Sequence, residues 1–319
     1  MIFRIARIVA IAAALFFTLH ASAQQQTFTV CPALGGSDWA VNLAYDGSHI
    51  WVSCYQGNKV VEINASNGAI VRQVTVSSPV GILYEGGYIW VSTGSNNKVV
   101  KIVASTGAVA GTFTVQGTPY GMTFDGHYVW VANLSGNSVS KVLATTGAVT
   151  TYSVPCTAPI SMAFDTVHVW VSCRNSGQVL ELSSTGSVLT TFGVPNAEGL
   201  AFRGPTNGAY LYAGSMDMPS TGGGEVFAIY AQDPLNWFDF YVGENPTDVA
   251  LDGTYLWVLN YGFQKVSKLN ADTGAVLATY SVTNPVGGWG GGGILFDGSN
   301  IWVTATPNGA TGGVTKIPD

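Results

Sequence analysis

Charged side chains are scarce in this sequence, where Asp, Glu, Lys and Arg together account for 9% of the 319 residues. The 12 basic residues are outnumbered by 18 acidic ones and form no basic stripe. Proteins that bind nucleic acids need clustered Lys and Arg to displace counterions from phosphates. The composition therefore argues against a nucleic-acid partner, and it disfavours an anionic membrane surface for the same reason.

Long apolar runs are absent beyond the first twenty residues. Arg4 and Arg7 precede an apolar run over residues 8–19, and small residues follow at 21–23. This pattern predicts a secretory signal peptide over residues 1–23, too short and wrongly flanked for a membrane span. Cleavage after Ala23 removes two arginines and leaves 10 basic against 18 acidic residues, a formal charge of −8. We expect an exported protein, periplasmic or extracellular, with no membrane span in the mature chain.

The common catalytic motifs are missing as well, since neither Gly-x-Ser-x-Gly nor His-Glu-x-x-His occurs. A Gly-x-Gly-x-x-Gly pattern at 288–293 precedes an apolar strand, so no helix N-terminus follows it to bind a pyrophosphate. Beyond the predicted signal peptide the only histidines are His49, His127 and His168, each two or three residues before a tryptophan. We interpret them as solvated turn residues spread around the fold, and predict no metal site and no cofactor.

A repeat of about 40 residues runs through the rest of the chain. Its centre is a tryptophan between two apolar residues, found at Trp51, Trp90, Trp130, Trp170, Trp257 and Trp302. The first four are spaced by 39, 40 and 40 residues. An Asp-Gly or similar turn precedes the tryptophan strand, and two further strands follow with a polar turn before each. Four short strands in about 40 residues are typical of a β-propeller blade.

Counting the repeats predicts an all-β fold, a single seven-bladed β-propeller of four-stranded blades over residues 24–319. The fifth repeat is irregular, with residues 210–212 in place of the tryptophan core and a long insertion over 216–224. The last repeat ends after three strands, and we expect the N-terminal segment 27–30 to supply the fourth and close the ring. Six or eight blades are the alternatives. The blades begin near Val41, Val80, Tyr120, Ile160, Glu198, Thr247 and Gly293.

The four cysteines test this register, because cysteines of an exported protein are expected to be oxidised. Cys54 and Cys173 each lie three residues after a core tryptophan, and Cys31 and Cys156 each follow a fourth strand. In a propeller both positions lie on one rim at the junction between neighbouring blades. We predict disulfides Cys31–Cys54 and Cys156–Cys173, each closing a loop of about 20 residues and worth roughly 3 kcal/mol.

The repeats resemble those of the bacterial YVTN-type seven-bladed propellers, a group that includes virginiamycin B lyase-like proteins. The likeness is clearest at 129–133 (VWVAN), 137–139 (NSV) and 146–149 (TGAV). It implies an exported binding or scaffold module, with a few enzymes among such proteins. The streptogramin lyases of this group use histidines and a metal-binding glutamate in their later blades. This sequence has no histidine after His168 and no Glu-x-x-His, and so departs from the lyase pattern.

Residues that break the repeat indicate where a ligand would bind. Two tryptophans lie in longer, Gly-rich crossovers, three residues follow second strands, and two acidic residues occupy crossover positions that point toward the channel mouth. All fall on one rim, where aromatic faces for stacking meet polar groups. The predicted ligand-binding residues are Trp39, Tyr55, Arg174, Glu198, Asp248, Tyr261 and Trp289.

The function this predicts is an exported, non-catalytic propeller that binds a small molecule, a glycan or a protein through that rim. Two alternatives stay open. One is a metal-dependent lyase or hydrolase with its metal near Glu198 and Asp248. The other is the propeller subunit of a redox complex, for which a partner chain would supply the cofactor.

Overall fold

The computed structural model describes residues 24–31, 38–204, 209–216, 224–233, 236–243, 245–261, 264–283, 292–305 and 311–319. The predicted signal peptide and Trp289 lie outside these residues. No helix in the described part of the chain is long and apolar enough to cross a membrane.

The described chain forms seven antiparallel sheets of four strands each, arranged as a ring. Blade 1 contains β2 to β5, and each later blade takes the next four strands up to blade 6, which ends with β25. Blade 7 combines β26 to β28 with β1. The strands are β1 Gln26–Cys31, β2 Ala40–Tyr45, β3 His49–Cys54, β4 Lys59–Asn64, β5 Ile70–Thr75, β6 Pro79–Glu85, β7 Tyr88–Thr93, β8 Lys98–Val103, β9 Val109–Thr114, β10 Pro119–Phe124, β11 Tyr128–Asn133, β12 Ser138–Leu143, β13 Val149–Ser153, β14 Pro159–Phe164, β15 Val169–Cys173, β16 Gln178–Leu182, β17 Val188–Gly193, β18 Ala197–Arg203, β19 Tyr210–Ser215, β20 Gly224–Tyr230, β21 Trp237–Gly243, β22 Pro246–Leu251, β23 Tyr255–Asn260, β24 Lys265–Asn270, β25 Val276–Ser281, β26 Ile294–Phe296, β27 Asn300–Ala305 and β28 Gly312–Pro318.

The ring closes as the sequence predicts. Strand β1 pairs antiparallel with β28, placing Thr27 opposite Thr315 and Phe28 opposite Val314, so the N-terminal strand is the outer strand of blade 7. The prediction of a seven-bladed propeller closed in this way is confirmed. Closure leaves no blade with an open face, which matters because a single blade cannot bury both its apolar sides.

Both predicted cysteine pairs are disulfide-bonded in the structure. Cys31 is joined to Cys54 with 5.5 Å between their Cα atoms, and Cys156 to Cys173 with 6.0 Å. The first bond connects blade 7 to blade 1, and the second connects the crossover after blade 3 to blade 4. The first bond therefore adds a second covalent link at the junction where the chain passes from β1 of blade 7 to β2 of blade 1.

The repeated tryptophans fill the wedges between blades, and five of the six, all except Trp90, are held by the aspartate of the preceding turn. In blade 3, Oδ1 of Asp125 accepts the backbone N–H groups of His127 and Tyr128 at 2.9 and 2.7 Å. Its Oδ2 accepts the indole N–H of Trp130 at 2.6 Å. The Asp-Gly pair thus fixes both the turn and the tryptophan ring. The same indole bond is made by Asp46, Asp165, Asp252 and Asp297.

Neighbouring blades also meet through an aromatic ring on the outer strand. Phe113 of blade 2 stacks on Trp90 at 5.8 Å between centroids and covers Gly147, the turn glycine of blade 3. A Cβ on Gly147 would lie 1.9 Å from the Phe113 ring. The same glycine–aromatic contact recurs at Gly186 with Tyr152, at Gly274 with Phe240 and at Gly68 with Phe28. The Thr-Gly turns of the repeat therefore serve blade packing as well as chain reversal.

We expect Gly147→Ala to lower the free energy of unfolding by about 2–5 kcal/mol. About 1–2 kcal/mol comes from its left-handed φ of +78°, and overpacking against Phe113 adds about 1–3 kcal/mol. Urea denaturation followed by tryptophan fluorescence measures the loss. Gly126→Ala is the control, because Gly126 has a φ of +97° but open space around its Cβ position. An equal loss in the two variants would mean that the ring contact contributes nothing.

Candidate functional site

The innermost strand of each blade lines the central channel, and its third residue faces the neighbouring blade closely. Glycine is common here because the strands crowd together, and a Cβ on Gly121 would lie 2.4 Å from the carbonyl oxygen of Ile160. Only three blades carry a polar side chain at this position. These residues are Asn42, Gly81, Gly121, Ser161, Gly199 and Asp248 in blades 1 to 6; the equivalent residue of blade 7 is Gly293, which directly precedes β26.

Two of the predicted site residues, Glu198 and Asp248, line one small cavity of about 40 Å³ together with Tyr120 and Ser161. Both lie in innermost strands rather than in crossovers, which corrects the sequence-based placement: Glu198 is the second residue of β18 and Asp248 the third of β22. The cavity has room for about one water molecule. A larger ligand would therefore cover this opening rather than enter it.

Asp248 connects the innermost strands of blades 6 and 7. Its Oδ1 accepts the N–H of Val249 at 3.0 Å, and its Oδ2 accepts the N–H of Ile294 at 3.1 Å. Burial raises the pKa of Asp248 to about 7, and the nearby Glu198 carboxylate adds to the rise while the two backbone hydrogen bonds oppose it. Burial therefore favours the protonated form of this carboxyl group far more than it is favoured in an exposed aspartate.

Arg174 and Glu198 form a fork-shaped ion pair beside this cavity. The Nη2 of Arg174 donates to Oε2 of Glu198 at 2.7 Å, and its Nε donates to Oε1. Only 2% of the Glu198 side chain is exposed, against 20% for Arg174. Burial raises the pKa of Glu198, and the hydrogen bonds and charge of Arg174 oppose that rise. The guanidinium thus offsets the free-energy cost of burying a carboxylate at this position.

Tyr120 is a member of this group that the sequence analysis did not select. It occupies the second position of its innermost strand, where blades 1, 2 and 4 carry aliphatic residues. Burial raises the pKa of the Tyr120 hydroxyl; Arg174 opposes this, and Glu198, Tyr55 and Asp248 add to it. The signal was available in the sequence as an aromatic residue at an aliphatic repeat position.

The other predicted residues are distributed over the same face of the ring, which we call the crossover face. It is defined by Trp39, Tyr55, Arg174 and Tyr261. The carbonyl oxygen of Trp39 accepts the N–H of Tyr55 at 2.9 Å, and both side chains are half-buried. Tyr261 is 37% exposed and does not line the cavity. The site therefore centres on Arg174, Glu198, Asp248 and Tyr55, with Trp39 next to Tyr55.

A metal between Glu198 and Asp248 would need a third ligand. Among the described residues, the groups of side chains close enough to hold a metal ion include neither of these two. Arg174 already neutralises Glu198, and Asp248 accepts two backbone N–H groups. This geometry suits recognition through hydrogen bonds better than metal-assisted hydrolysis.

The histidines do not all behave as the sequence analysis expects. His127 is exposed, as predicted for a solvated turn residue. The side chains of His49 and His168 are only 29% and 32% exposed, and each faces a buried aspartate and a buried glutamate. The interpretation as solvated residues is wrong for these two. The sequence contains a signal for these two sites. An Asp-x-x-His motif with a Glu 13 residues after the His occurs twice, at 46–62 and at 165–181.

A closed ring of seven four-stranded blades with a polar channel mouth defines this protein as a seven-bladed β-propeller. Its fold is similar to that of virginiamycin B lyase from Staphylococcus aureus, at 18% identity and a TM-score of 0.74, covering 93% of this chain and 99% of that one. A streptogramin B lyase structure gives 15% identity and a TM-score of 0.75, covering 92% of this chain and 97% of that one.

The same fold similarity extends to a protein of another kind. Hydrazine synthase from Kuenenia stuttgartiensis matches at 14% identity and a TM-score of 0.75, covering 90% of this chain and 99% of that one. No family model matches the sequence, and no curated protein matches it. At these identities the similarity establishes the fold alone, and the function has to be argued from the site.

Proposed function

We propose that this protein is an exported, non-catalytic propeller that binds a glycan on its crossover face. Export is supported by the signal-like N-terminus and by two disulfides, which persist in oxidising compartments. The proposed site covers the channel mouth and uses Arg174 and Glu198 as its polar centre.

The observation that carries the proposal is the Arg174–Glu198 pair at the channel mouth with aromatic side chains around it. Glu198 fixes the planar guanidinium of Arg174, and a fixed guanidinium offers donors in defined directions, which suits the hydroxyl groups of a sugar ring. Tyr55 and Trp39 provide apolar faces with polar edges, as sugar rings require for stacking. Charged residues make up only 9% of the chain, so a neutral polar ligand fits better than a strongly charged one.

A glycan array probed with the labelled chain 24–319 tests this function. We expect saturable binding to a restricted set of oligosaccharides. Trp39→Ala combined with Tyr55→Ala should weaken it by at least about fivefold, since each lost aromatic contact is worth about 0.5–1.5 kcal/mol. The control is Tyr241→Ala, which removes a 58% exposed aromatic residue from the outer strand of blade 5. Binding should be unchanged in that variant.

Two outcomes would overturn the proposal. One is the absence of binding to any oligosaccharide on the array, or binding that survives the double substitution. The other is conversion of a bound oligosaccharide during incubation with the protein, seen by mass spectrometry. That result would replace the binding module with an enzyme.

A further inference from the structure

Lysine side chains fill the grooves between blades on the face opposite the crossovers. In four blades the third-strand residue opposite the core tryptophan is a lysine whose Nζ lies 4.8–5.3 Å from that tryptophan ring. Lys101 also donates to the carbonyl oxygen of Ala144 in the next blade at 2.8 Å. The ammonium group thus links adjacent blades. The four residues are Lys101, Lys141, Lys268 and Lys316.

Blades 1 and 4 replace this lysine with glutamate, and they change its neighbour at the same time. In blades 2, 3 and 6 the lysine Nζ lies 3.8–4.2 Å from the ring of a tyrosine two residues before the tryptophan. In blade 1 the corresponding pair is His49 with Glu62, and in blade 4 it is His168 with Glu181. In these five blades tyrosine thus occurs with lysine, and histidine with glutamate. Blade 7 combines Lys316 with Asn300, and blade 5 combines Tyr210 with Ala228.

An ionised glutamate has no proton to donate to the next blade. A cavity lies beside it, in the groove that holds the lysine ammonium in other blades. In blade 4 this cavity has a volume of about 270 Å³ and is lined by Asp165, His168 and Glu181 on one side and by Ala231 of blade 5 on the other. The N–H of Ala231 donates to the carbonyl oxygen of Ala209, as the N–H of Ala144 donates to that of His127. Ala231 is therefore the counterpart of Ala144, whose carbonyl oxygen accepts the Lys101 ammonium. The groove of blade 4 therefore retains the surroundings of a cation.

The three side chains in blade 4 converge on one point. The Nδ1 of His168 lies 2.8 Å from Oε1 of Glu181 and 3.8 Å from Oδ2 of Asp165. The carboxylate side chains are 8% and 5% exposed. Oδ2 of Asp165 accepts the Trp170 indole N–H at 2.8 Å and keeps a second lone pair for a ligand. Two carboxylate oxygens and an imidazole nitrogen form a donor set that zinc accepts.

Charge balance separates blade 4 from blade 1. In blade 1, Arg72 on the outer strand lies opposite Glu62 and forms an ion pair with it. In blade 4 the residue opposite Glu181 is Thr190, which carries no charge. Within the described residues, the only ion-pair partner of Asp165 and Glu181 is His168. Buried carboxylates require a compensating cation, and blade 4 lacks the arginine that supplies one in blade 1.

We propose that the groove of blade 4 binds one divalent zinc ion through Asp165 Oδ2, His168 Nδ1 and Glu181 Oε1. The ion takes the place of the lysine ammonium of other blades, neutralises both carboxylates and leaves its fourth position open to the cavity. All three ligands belong to blade 4, so the role of the ion is to balance the buried charge of that blade.

Isothermal titration of untagged, EDTA-treated protein (chain 24–319) with zinc chloride at pH 7.5 tests the site. We expect one ion per chain and a rise in Tm on binding. His168→Gln should weaken binding by at least about tenfold, whereas the matched His49→Gln in blade 1 should leave it unchanged. Absence of zinc binding, or binding unaffected by His168→Gln, would overturn the proposal.

Two further variants keep the test decisive if His168→Gln folds poorly. His168→Tyr combined with Glu181→Lys rebuilds the tyrosine–lysine pair of blades 2, 3 and 6, so it should fold without metal and lose zinc binding. Arg72→Thr gives blade 1 the arrangement of blade 4, so it should raise the stoichiometry from one ion to two. Zinc binding retained by the first variant would show that the ion lies elsewhere, and an unchanged stoichiometry in the second would refute the charge-balance argument.

Discussion

Replacing Arg174 with methionine is expected to lower the free energy of unfolding by about 3–5 kcal/mol. The substitution removes the guanidinium and leaves Glu198, whose side chain is 2% exposed, as an uncompensated buried carboxylate. Since burial already raises the pKa of Glu198, loss of Arg174 should raise it further. The destabilisation should therefore be larger at pH 8, where the carboxylate must stay charged, than at pH 5. Urea denaturation at the two pH values measures it.

A second substitution separates charge from packing. Arg174→Met combined with Glu198→Met removes both charged groups and should recover most of the stability, because replacing a whole buried ion pair with apolar residues is often neutral or stabilising. A single-variant loss below about 1 kcal/mol, typical of exposed ion pairs, would show that water reaches Glu198 freely. The buried polar centre on which the proposed glycan site depends would then not exist.

The fold could be predicted from the sequence because the repeat carries several independent signals at fixed spacing. Tryptophans 39–40 residues apart, Asp-Gly turns and Thr-Gly turns all agree on where strands begin and end. The cysteines added an independent test, because Cys31 and Cys54 pair only if the N-terminal strand joins blade 7. Even the irregular blade 5 keeps the register, with Tyr212 fully buried in place of a tryptophan.

The candidate site was harder to predict because its chemistry depends on contacts between blades. The sequence marked Glu198 and Asp248 as unusual, but it did not show that Arg174 pairs with the first and that backbone N–H groups occupy the second. Tyr120 differs from the aliphatic residues at the same repeat position, but that difference alone did not connect it with Arg174 or Glu198. Such pairings depend on how neighbouring innermost strands are offset around the axis, which no spacing within one repeat records. Trp289, the second predicted stacking residue, stays a prediction.

Three blades combine a tyrosine with a lysine, and two combine a histidine with a glutamate at the same positions. This pattern was visible in the sequence only after the blades were aligned. Each member alone suggests a solvated polar residue, since all are common on exposed strands and turns. The two residues of each pair come into contact because they lie on neighbouring paired strands. Blades with the other residue pair serve as the control for this contact. Internal repeats thus offer the kind of matched variants that are normally made by mutagenesis.

Phe28→Ala is expected to lower the free energy of unfolding by about 2–4 kcal/mol, which is less than the usual loss of about 3–5 kcal/mol because the ring is only half-buried. Phe28 lies on the closing strand, stacks on Trp302 at 5.9 Å between centroids and covers Gly68 of blade 1. Phe113 makes the same contacts with Trp90 and Gly147 in the middle of the chain. Phe113→Ala is therefore a matched variant with the same lost contacts.

The comparison measures how strong the ring closure is. If the junction of blades 7 and 1 unfolds together with the rest of the ring, the two variants should lose equal stability in urea denaturation with both disulfides intact. A loss below about 1 kcal/mol for Phe28→Ala, beside a full loss for Phe113→Ala, would mean that the N-terminal strand frays before the ring unfolds. Closure would then rest on the Cys31–Cys54 bond rather than on packing, and reduction of the protein would open the propeller at that junction.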